Sequence, residues 1–370
     1  MQDWRDVFFP VTLSGVVLPS RLFLAAINTG FAESGGPSEA LIRFHESRSG
    51  PEIGISMVGN VAVAASGSTN PRTAVLQNSS NLGPYGELAD RIRARGSLPG
   101  IQLSMSLASL APGRNWVTKD RNAEQVRLRA LVAQLDDREV QRYLDQFVIA
   151  ARLAASVGFS VIQLHAAHGY FLSLLLSPLV NGRAGRFAHS SDWLDVFAGE
   201  FVAACGEALV SSRISMRSGL SSNSADELLN ARSVAAAMVK AGVDMLDFSA
   251  GFYTVDRRQI YPGIEKGPLP AASEALRICR EVGAFGVVSG NISDLRSMPP
   301  ISEQSGIAVG RALIADPDFA RKSYLGMHDE IVRCRRTAHC HYFSRGKNAI
   351  ECGVNSSLVR LGEIRHERVG

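Results

Sequence analysis

Short, nearly continuous runs of apolar residues recur along the chain, and a longer stretch of helical periodicity follows most of them. Apolar runs of about four to eight residues bounded by turn residues are typical of strands that are buried on both faces. The predicted strands are Leu22–Ile27, a segment within Ile53–Val63, Pro99–Met105, Val161–His165, Ile214–Arg217, Met245–Ser249, Phe285–Gly290 and Gly306–Arg311.

The stretches between these runs carry the spacing of amphipathic helices. Val140–Val157 is the clearest, because its apolar residues form one stripe and Gly158 follows where a helix commonly stops. The other predicted helices are Ser38–Ser49, Asp195–Leu209, Ala225–Lys240 and Pro270–Val282. Leu107–Asp137 has only weak periodicity, and we predict that it is a long loop, as is Phe252–Pro268.

The order of strands and helices predicts a parallel (β/α)8 barrel, in which about eight strand-then-helix units follow one another. A doubly wound sheet is the alternative with the same order of elements. We prefer the barrel, since the strand count matches and no G-x-G-x-x-G motif follows the first strand. The barrel is expected to occupy residues 1–330, and residues 331–370 are expected to pack on it as a C-terminal extension.

The composition, with 46% apolar and 20% charged residues, is that of an ordinary soluble enzyme. The net charge of +4 comes from interspersed signs, which argues against nucleic acid as a partner. Met1–Asp6 lacks the features of a signal peptide, and no apolar run approaches the ~18 residues of a membrane span. Five cysteines fit a reducing compartment better than a disulfide scaffold. We therefore expect a cytoplasmic protein with a small-molecule substrate and no membrane contact, as either a monomer or a homo-oligomer.

Two histidines and a tyrosine follow the fourth predicted strand: His165, His168 and Tyr170. In a parallel barrel the chemistry lies where the strands end, so these side chains are the first candidates for a catalytic role. A metal site and a buried, satisfied histidine pair beside a packing ring are the two alternatives.

Glycines end the last two predicted strands, at Gly290-Asn291 and Gly310-Arg311. The loops after the seventh and eighth barrel strands commonly bind phosphate through backbone N–H groups, and Arg311 adds a positive charge there. Both glycines could instead be ordinary turn residues. Gln102 and Arg217 are polar residues in otherwise apolar strands, which is costly unless a ligand or partner meets them.

Together these motifs resemble the old yellow enzyme family of FMN-dependent (β/α)8 oxidoreductases, from roughly Val7 to Asp318. The most specific part is the run from His165 to Tyr170, followed by Ser177-Pro178 and Asn181-x-Arg183. Gln102, Arg217 and the segment Gly310–Pro317 follow the family's order and spacing.

The resemblance implies that the protein binds FMN and that NAD(P)H reduces it. The implied FMN-binding residues are Ala26, Ile27 and Asn28 after the first strand, Asn60 after the second, Gln102 and Arg217 at the pyrimidine edge of the flavin, and Gly290, Asn291, Gly310 and Arg311 at its phosphate. A cation at the pyrimidine edge would stabilise the negative charge of the reduced flavin.

The resemblance also implies roles for the three candidates at the fourth strand. His165 and His168 would bind and polarise a substrate carbonyl, so that hydride passes from flavin N5 to an activated C=C bond, and Tyr170 would protonate the α-carbon as a general acid. Two other functions are open: a flavin-dependent dehydrogenase, desaturase or amine-oxidising enzyme of a biosynthetic pathway, and a non-catalytic flavin- or metabolite-binding barrel.

The chain departs from the family pattern at three places. Asn28 stands where the family has threonine or cysteine, although its amide can still donate a hydrogen bond to the flavin. Met105-Ser106-Leu107-Ala108 stands where the family often has His-x-Gly-Arg, and Gly185–His189 replaces a glycine-rich turn. We expect these departures to change the substrate rather than to abolish activity.

Cys334, Cys340 and Cys352 follow the barrel with a spacing similar to that of the [4Fe–4S] site in larger relatives. Thr337 stands where a further cysteine would be needed, and such a cluster normally takes four thiolates. We therefore expect no iron–sulfur cluster and no metal. The adjacent histidines His339 and His341 leave a Cys/His zinc site as the alternative.

Overall fold

Eight parallel strands close into a barrel in the computed structural model, which describes residues 3–107, 117–189, 192–223, 225–300 and 302–363. The strands are β1 Leu22–Ile27, β2 Ile55–Ala62, β3 Leu98–Ser104, β4 Val161–Ala166, β5 Leu209–Ser215, β6 Met245–Ser249, β7 Phe285–Ser289 and β8 Ser305–Val309. β1 pairs with β8 on one side and with β2 on the other, which closes the sheet. The predicted (β/α)8 barrel is thus confirmed.

Helices occupy the crossovers between the strands and the C-terminal segment. They are α1 Glu39–Glu46, α2 Gly83–Ala94, α3 Arg121–Ala133, α4 Asp137–Ser156, α5 Phe171–Leu175, α6 Trp193–Cys205, α7 Ala225–Lys240, α8 Arg257–Ile260, α9 Ala272–Val282, α10 Arg311–Ala315, α11 Phe319–Tyr324 and α12 Ser357–Glu363. Local capping sets several starts: the Ser38 hydroxyl accepts from the N–H of Leu41, and Asp136 with Glu139 forms a capping box for α4. Among the described residues, no helix combines the length and apolarity needed to cross a membrane.

The segment Leu107–Asp137 was predicted as a loop, and that prediction is wrong for its second half. Helix α3 runs from Arg121 to Ala133, with Asp120 as its N-cap. Its buried positions include a glutamate, Glu124, and this polar residue weakens the apolar periodicity that would have predicted a helix. Residues 108–116 of the predicted loop lie outside the described residues.

Strand β5 begins and ends earlier than predicted. It spans Leu209–Ser215, whereas the apolar pattern predicted Ile214–Arg217. The polar residues Ser211, Ser212 and Arg213 hid the start of the strand, because a buried strand was expected to be apolar throughout. The earlier register places Arg213 within the barrel wall and Arg217 two residues beyond its end.

The barrel interior has an apolar layer below and a polar layer above it. Alternate residues of a strand share one face. A residue two or four positions after an inward-pointing apolar residue therefore also points into the barrel. The apolar layer includes Phe23, Ile55, Met57, Val161, Leu209, Met245 and Phe285. On the same faces, closer to the C-terminal ends of the strands, lie Gln102, Gln163, His165, Ser211, Arg213 and Asp247.

The segment after residue 330 contacts the C-terminal side of the barrel. The N–H of Ile350 donates to the carbonyl of Thr29 at 2.9 Å, and Asn355 Nδ2 donates to the carbonyl of Ile314 at 2.8 Å. Tyr342 is almost fully buried. The boundary placed at residue 330 stays a prediction, and residues 364–370 lie outside the described part of the chain.

His45 on α1 makes the stability of the fold depend on pH. Its side chain is buried with Nδ1 3.0 Å from Ser56 Oγ, and burial, assisted by the Arg48 charge, lowers its pKa to about 3. Unfolded histidine titrates near 6.5, so between these values the unfolded chain binds a proton that the folded chain does not. Stability is therefore lost as the pH falls below about 6.5, by about 2 kcal/mol at pH 5 for this group.

Urea unfolding at pH 7.5 and pH 5.0 measures this loss of stability. His45→Gln has no titrating ring, and we expect the pH-dependent difference in unfolding free energy to shrink in this variant. An unchanged difference would show that other groups cause the acid sensitivity.

Candidate active site

A chain of amide hydrogen bonds crosses three strands inside the barrel mouth. Gln102 Nε2 donates to Gln163 Oε1 at 2.7 Å, and Gln163 Nε2 donates to Ser211 Oγ at 3.0 Å. The three residues are register partners on β3, β4 and β5, so strand pairing holds them level. Each amide nitrogen has two hydrogens, and the bond to Gln163 uses one of those on Gln102.

A buried ion pair lies one interior position closer to the mouth. Arg213 Nη1 on β5 is 3.5 Å from Asp247 Oδ2 on β6, and the side chains are 11% and 5% exposed. Burial raises the pKa of Asp247, while Arg213 and Gln163 oppose that rise. Within the described part of the chain, Arg213 Nε and Asp247 Oδ1 have no hydrogen-bond partner. Buried polar atoms are seldom left in this state, so these atoms fit a polar ligand at the mouth.

His165 and His168 lie at the end of β4, with ring centroids 5.0 Å apart. His165 is the register partner of Arg213, and His165 Nδ1 has no partner among the described residues. His168 adopts a left-handed backbone (φ 66°), and its Nε2 is 2.8 Å from Ser249 Oγ. Burial and then the Arg213 charge lower the pKa of both rings well below the usual value. Both are therefore neutral imidazoles that can donate one hydrogen bond each.

Tyr170 packs edge-on against His165, with ring centroids 4.8 Å apart, and stacks on Tyr253 at 6.3 Å. The Tyr253 hydroxyl makes a short hydrogen bond with the Tyr261 hydroxyl. Burial and the neighbouring tyrosines raise the pKa of Tyr170 well above its usual value. The phenol thus keeps its proton at neutral pH, as a general acid must before it reacts.

Asn28 lies in a polar cluster with residues from the β2 region. Its Nδ2 contacts Asn60 Oδ1 at 3.1 Å, Thr69 Oγ1 at 3.0 Å and Thr73 Oγ1 at 3.1 Å. Its Oδ1 accepts from the Tyr342 hydroxyl at 2.8 Å. The amide that was expected to donate to the flavin is thus directed into the protein, and the C-terminal segment is tied to the end of β1.

Ala26, Ile27 and Asn60 border the same end of β1 and β2. A Cβ built on Gly59 would lie 2.9 Å from Ala26 Cβ, so only glycine lets the strands approach there. Asn60 Nδ2 donates to Ser104 Oγ at 2.7 Å. A Cβ on Gly310 would lie 3.8 Å from Ile27 Cδ1, which places the end of β1 beside the end of β8.

The residues predicted to bind phosphate are brought together. Arg311 Nη2 donates to Asn291 Oδ1 and to the carbonyl of Pro262, both at 3.0 Å. Gly290 and Asn291 both have positive φ, at 122° and 60°, which turns their backbone sharply after β7. Arg336 from the C-terminal segment donates to the carbonyl of Asn291 at 3.4 Å. Two guanidinium groups therefore converge here, as an anionic group would require.

Arg217 lies elsewhere than expected. Its guanidinium forms a close ion pair with Glu274 on α9, and the two side chains are 27% and 34% exposed. Arg213, four residues earlier, occupies the interior position that Arg217 was expected to fill. Sequence reasoning missed Arg213 together with Gln163 and Asp247. The alternation of polar residues at Ser211, Arg213 and Ser215 was a signal that could have found it, because such residues share one strand face.

The family signature Asn181-x-Arg183 serves the packing of this region. Asn181 Nδ2 donates to the carbonyls of Leu175 and Phe187, at 2.7 and 3.0 Å. Arg183 donates to the carbonyl of Val132 in the last turn of α3 and to that of Leu135 just after it, and it pairs with Asp137. These bonds connect the loop after α5 with the end of α3 and the start of α4.

The three C-terminal cysteines lie close enough to affect one another electrostatically. Burial, with a contribution from Cys334 and Cys352, raises the pKa of Cys340 to about 11. Among the described residues, no group of three or more His, Cys, Asp or Glu side chains is arranged to hold a metal. That no iron–sulfur cluster binds stays a prediction.

Comparison with known proteins finds one family over most of the chain. The family model described as NADH:flavin oxidoreductase / NADH oxidase matches residues 6–330. The NADPH dehydrogenase of Bacillus velezensis is 25% identical over 337 residues, which are 88% of this chain and 96% of that protein. The NADH oxidase of Thermoanaerobacter brockii is 25% identical over 348 residues, 90% of this chain but 53% of that protein.

Solved structures show the same fold. A 2-naphthoyl-CoA reductase in complex with 2-naphthoyl-CoA superposes with a TM-score of 0.79 at 16% identity, covering 97% of this chain and 58% of that one. An old yellow enzyme homologue from Zymomonas mobilis gives 0.65 at 15% identity, covering 87% and 93%. The chain thus spans nearly all of the shorter relatives and about half of the longer ones.

Proposed function

Because this chain belongs to the NADH:flavin oxidoreductase / NADH oxidase family, the old yellow enzyme family, and is an FMN-dependent NAD(P)H oxidoreductase, we propose that it reduces an activated C=C bond, such as that of an enone. Bound FMN would supply the hydride that it has received from NAD(P)H. The observation that carries the proposal is the contact of Tyr170 with His165 and of His165 with His168, directly beside the polar layer of the barrel.

The residues at the mouth fit FMN. Gln102 and Arg213 would bind the pyrimidine edge, because Gln102 keeps a second amide hydrogen and Arg213 Nε lacks a partner among the described residues. Ala26, Ile27, Asn28 and Asn60 would flank the ring system, and Gly290, Asn291, Gly310 and Arg311 would bind the phosphate. Arg217, which is paired with Glu274, would not be among the FMN-binding residues.

The protein's own part in the reaction is to hold the substrate and to provide a proton. Neutral His165 and His168 would donate N–H groups to the substrate carbonyl, and the buried Nδ1 of His165 has no hydrogen-bond partner among the described residues. Donors at this oxygen stabilise the negative charge that develops there. Tyr170 would then give its phenolic proton to the α-carbon, and its partners Tyr253 and His165 hold the ring in place.

Oxidation of an amine is the second candidate function, and the aromatic rings at the mouth favour it. Tyr170 and Tyr253 stack with their planes 24° apart, and Tyr261 lies against His341 at 4.4 Å. Aromatic faces attract ammonium groups, so these rings could bind a protonated amine beside the flavin.

Purified protein is expected to be yellow, and the released chromophore is expected to be FMN. NADPH or NADH should bleach the absorbance of the bound flavin in the absence of oxygen, and 2-cyclohexenone should restore it. Bleaching by an amine alone, without nicotinamide, would instead support the second candidate. A colourless protein that takes up no added FMN contradicts both, and bound flavin that no reductant bleaches would indicate a non-catalytic barrel.

A further inference from the structure

We propose that Asp247 is a positioning residue that offsets the charge of Arg213 and thereby sets the midpoint potential of the bound FMN. The inference rests on the proposed function, since it needs FMN at the mouth of the barrel with its pyrimidine edge near Arg213. It concerns a residue that neither holds the substrate nor donates the proton.

Strand pairing holds Asp247 beside Arg213. The two residues are register partners on β5 and β6, and both side chains point into the barrel. Their 3.5 Å separation is longer than the roughly 2.7–2.9 Å of a close charged hydrogen bond. The pair is therefore close enough for strong electrostatic interaction, yet Arg213 keeps N–H donors for a ligand.

Asp247 also adjoins the other residue that would contact the flavin edge. The Gln163 amide acts on the Asp247 carboxyl and lowers its pKa, and the same Gln163 accepts a hydrogen bond from Gln102. A substitution of Asp247 thus alters the surroundings of both Arg213 and Gln102. The other register partner of Asp247 is apolar Val287 on β7, and the next group in the layer is neutral His165.

The effect on the flavin follows from charge. Two-electron reduction adds negative charge to the ring system, and a cation at its edge favours the reduced form. A carboxylate 3.5 Å from that cation cancels much of its field, because water does not screen charges in a buried site as it does at the surface. Removal of the carboxylate should therefore favour reduced FMN over oxidised FMN.

A second arginine–carboxylate pair provides the matched control. Arg217 and Glu274 form an ion pair that is partly exposed, outside the polar layer of the barrel. Neutralising Glu274 changes the formal charge as much as neutralising Asp247, but solvent screens it. The two substitutions therefore differ in which arginine loses its partner.

The experiment is a reductive titration of the FMN-loaded protein against reference dyes. In Asp247→Asn we expect reduced FMN to be favoured at least tenfold more than in wild type, a positive shift of about 30 mV or more for a two-electron couple. Glu274→Gln should stay close to the wild-type potential, and Asp247→Glu should return toward it because the carboxylate is restored.

Two outcomes of the titration count against the inference. An unchanged or more negative potential in Asp247→Asn overturns it, and so does an equal shift in Glu274→Gln. If Asp247→Asn does not fold, Asp247→Ser, which leaves room for water beside Arg213, is titrated with the same expected sign. Failure of the wild-type protein to bind FMN would instead overturn the proposed function, a result visible before any variant is compared.

Discussion

Tyr170→Phe is expected to slow alkene reduction by about 10²–10⁴-fold, while NAD(P)H reduces the bound FMN at nearly the wild-type rate. The substitution removes the phenolic proton and keeps the ring, so the edge-on contact with His165 and the stacking on Tyr253 persist. Only the rate of the half-reaction in which the substrate carbon is protonated should fall. Anaerobic stopped-flow measurement of the two half-reactions separates the effects.

Tyr253→Phe is the matched control for this prediction. Tyr253 stacks on Tyr170 and its hydroxyl bonds with that of Tyr261, so the variant removes a neighbouring phenol from the same site. We expect it to retain most of the alkene reduction. If Tyr253→Phe is the inactive variant and Tyr170→Phe is active, the proton comes from Tyr253, and the assignment of Tyr170 is wrong.

Arg213→Met is expected to destabilise the protein by about 3–5 kcal/mol and to abolish tight FMN binding, because removing one partner leaves a buried carboxylate without its cation. Burial already raises the pKa of Asp247, and without Arg213 that rise is no longer opposed by a positive charge. Urea unfolding of the FMN-free protein gives the loss of stability, and quenching of flavin fluorescence gives the dissociation constant.

Two variants make this prediction specific. Arg217→Met breaks the partly exposed pair with Glu274, and such pairs contribute only about 0–1 kcal/mol. Arg213→Met combined with Asp247→Leu removes both buried charges, which should recover most of the stability but not the FMN affinity. If Arg217→Met fails to bind FMN while Arg213→Met still binds it, Arg217 rather than Arg213 is the residue at the flavin edge.

The difference between these two arginines shows where sequence reasoning stops. Arg213 follows two serines within β5 and Arg217 follows Met216 just beyond it, and the resemblance to the family favoured Arg217. Residues four apart share one strand face, so the extent of β5 decides which arginine lies in the barrel wall. The pairing of Arg213 with Asp247 and His165 places Arg213 within the strand and leaves Arg217 beyond its end. Strand pairing joins residues distant in the chain, so local pattern does not reveal it.

The hydrogen-bond partners of Asn28 likewise could not be predicted from the local sequence. The residue type alone allowed a bond to the flavin, but the structure directs its amide to Asn60, Thr69 and Thr73. Tyr342, which completes the cluster, comes from the other end of the chain. Amide groups bind whatever partner the fold brings near, so their use follows from tertiary structure.

The sequence by itself determined the (β/α)8 barrel, the family, and the clusters of candidate residues at the ends of the fourth, seventh and eighth strands. It could do so because apolar runs, helical periodicity and motifs such as the one from His165 to Tyr170 are local properties of the chain. Only the tertiary structure decided that Gln163, Arg213 and Asp247 share the barrel interior with Gln102, and that Tyr342 joins Asn28. Those contacts arise from strand register and from packing between distant segments, which are settled when the barrel closes.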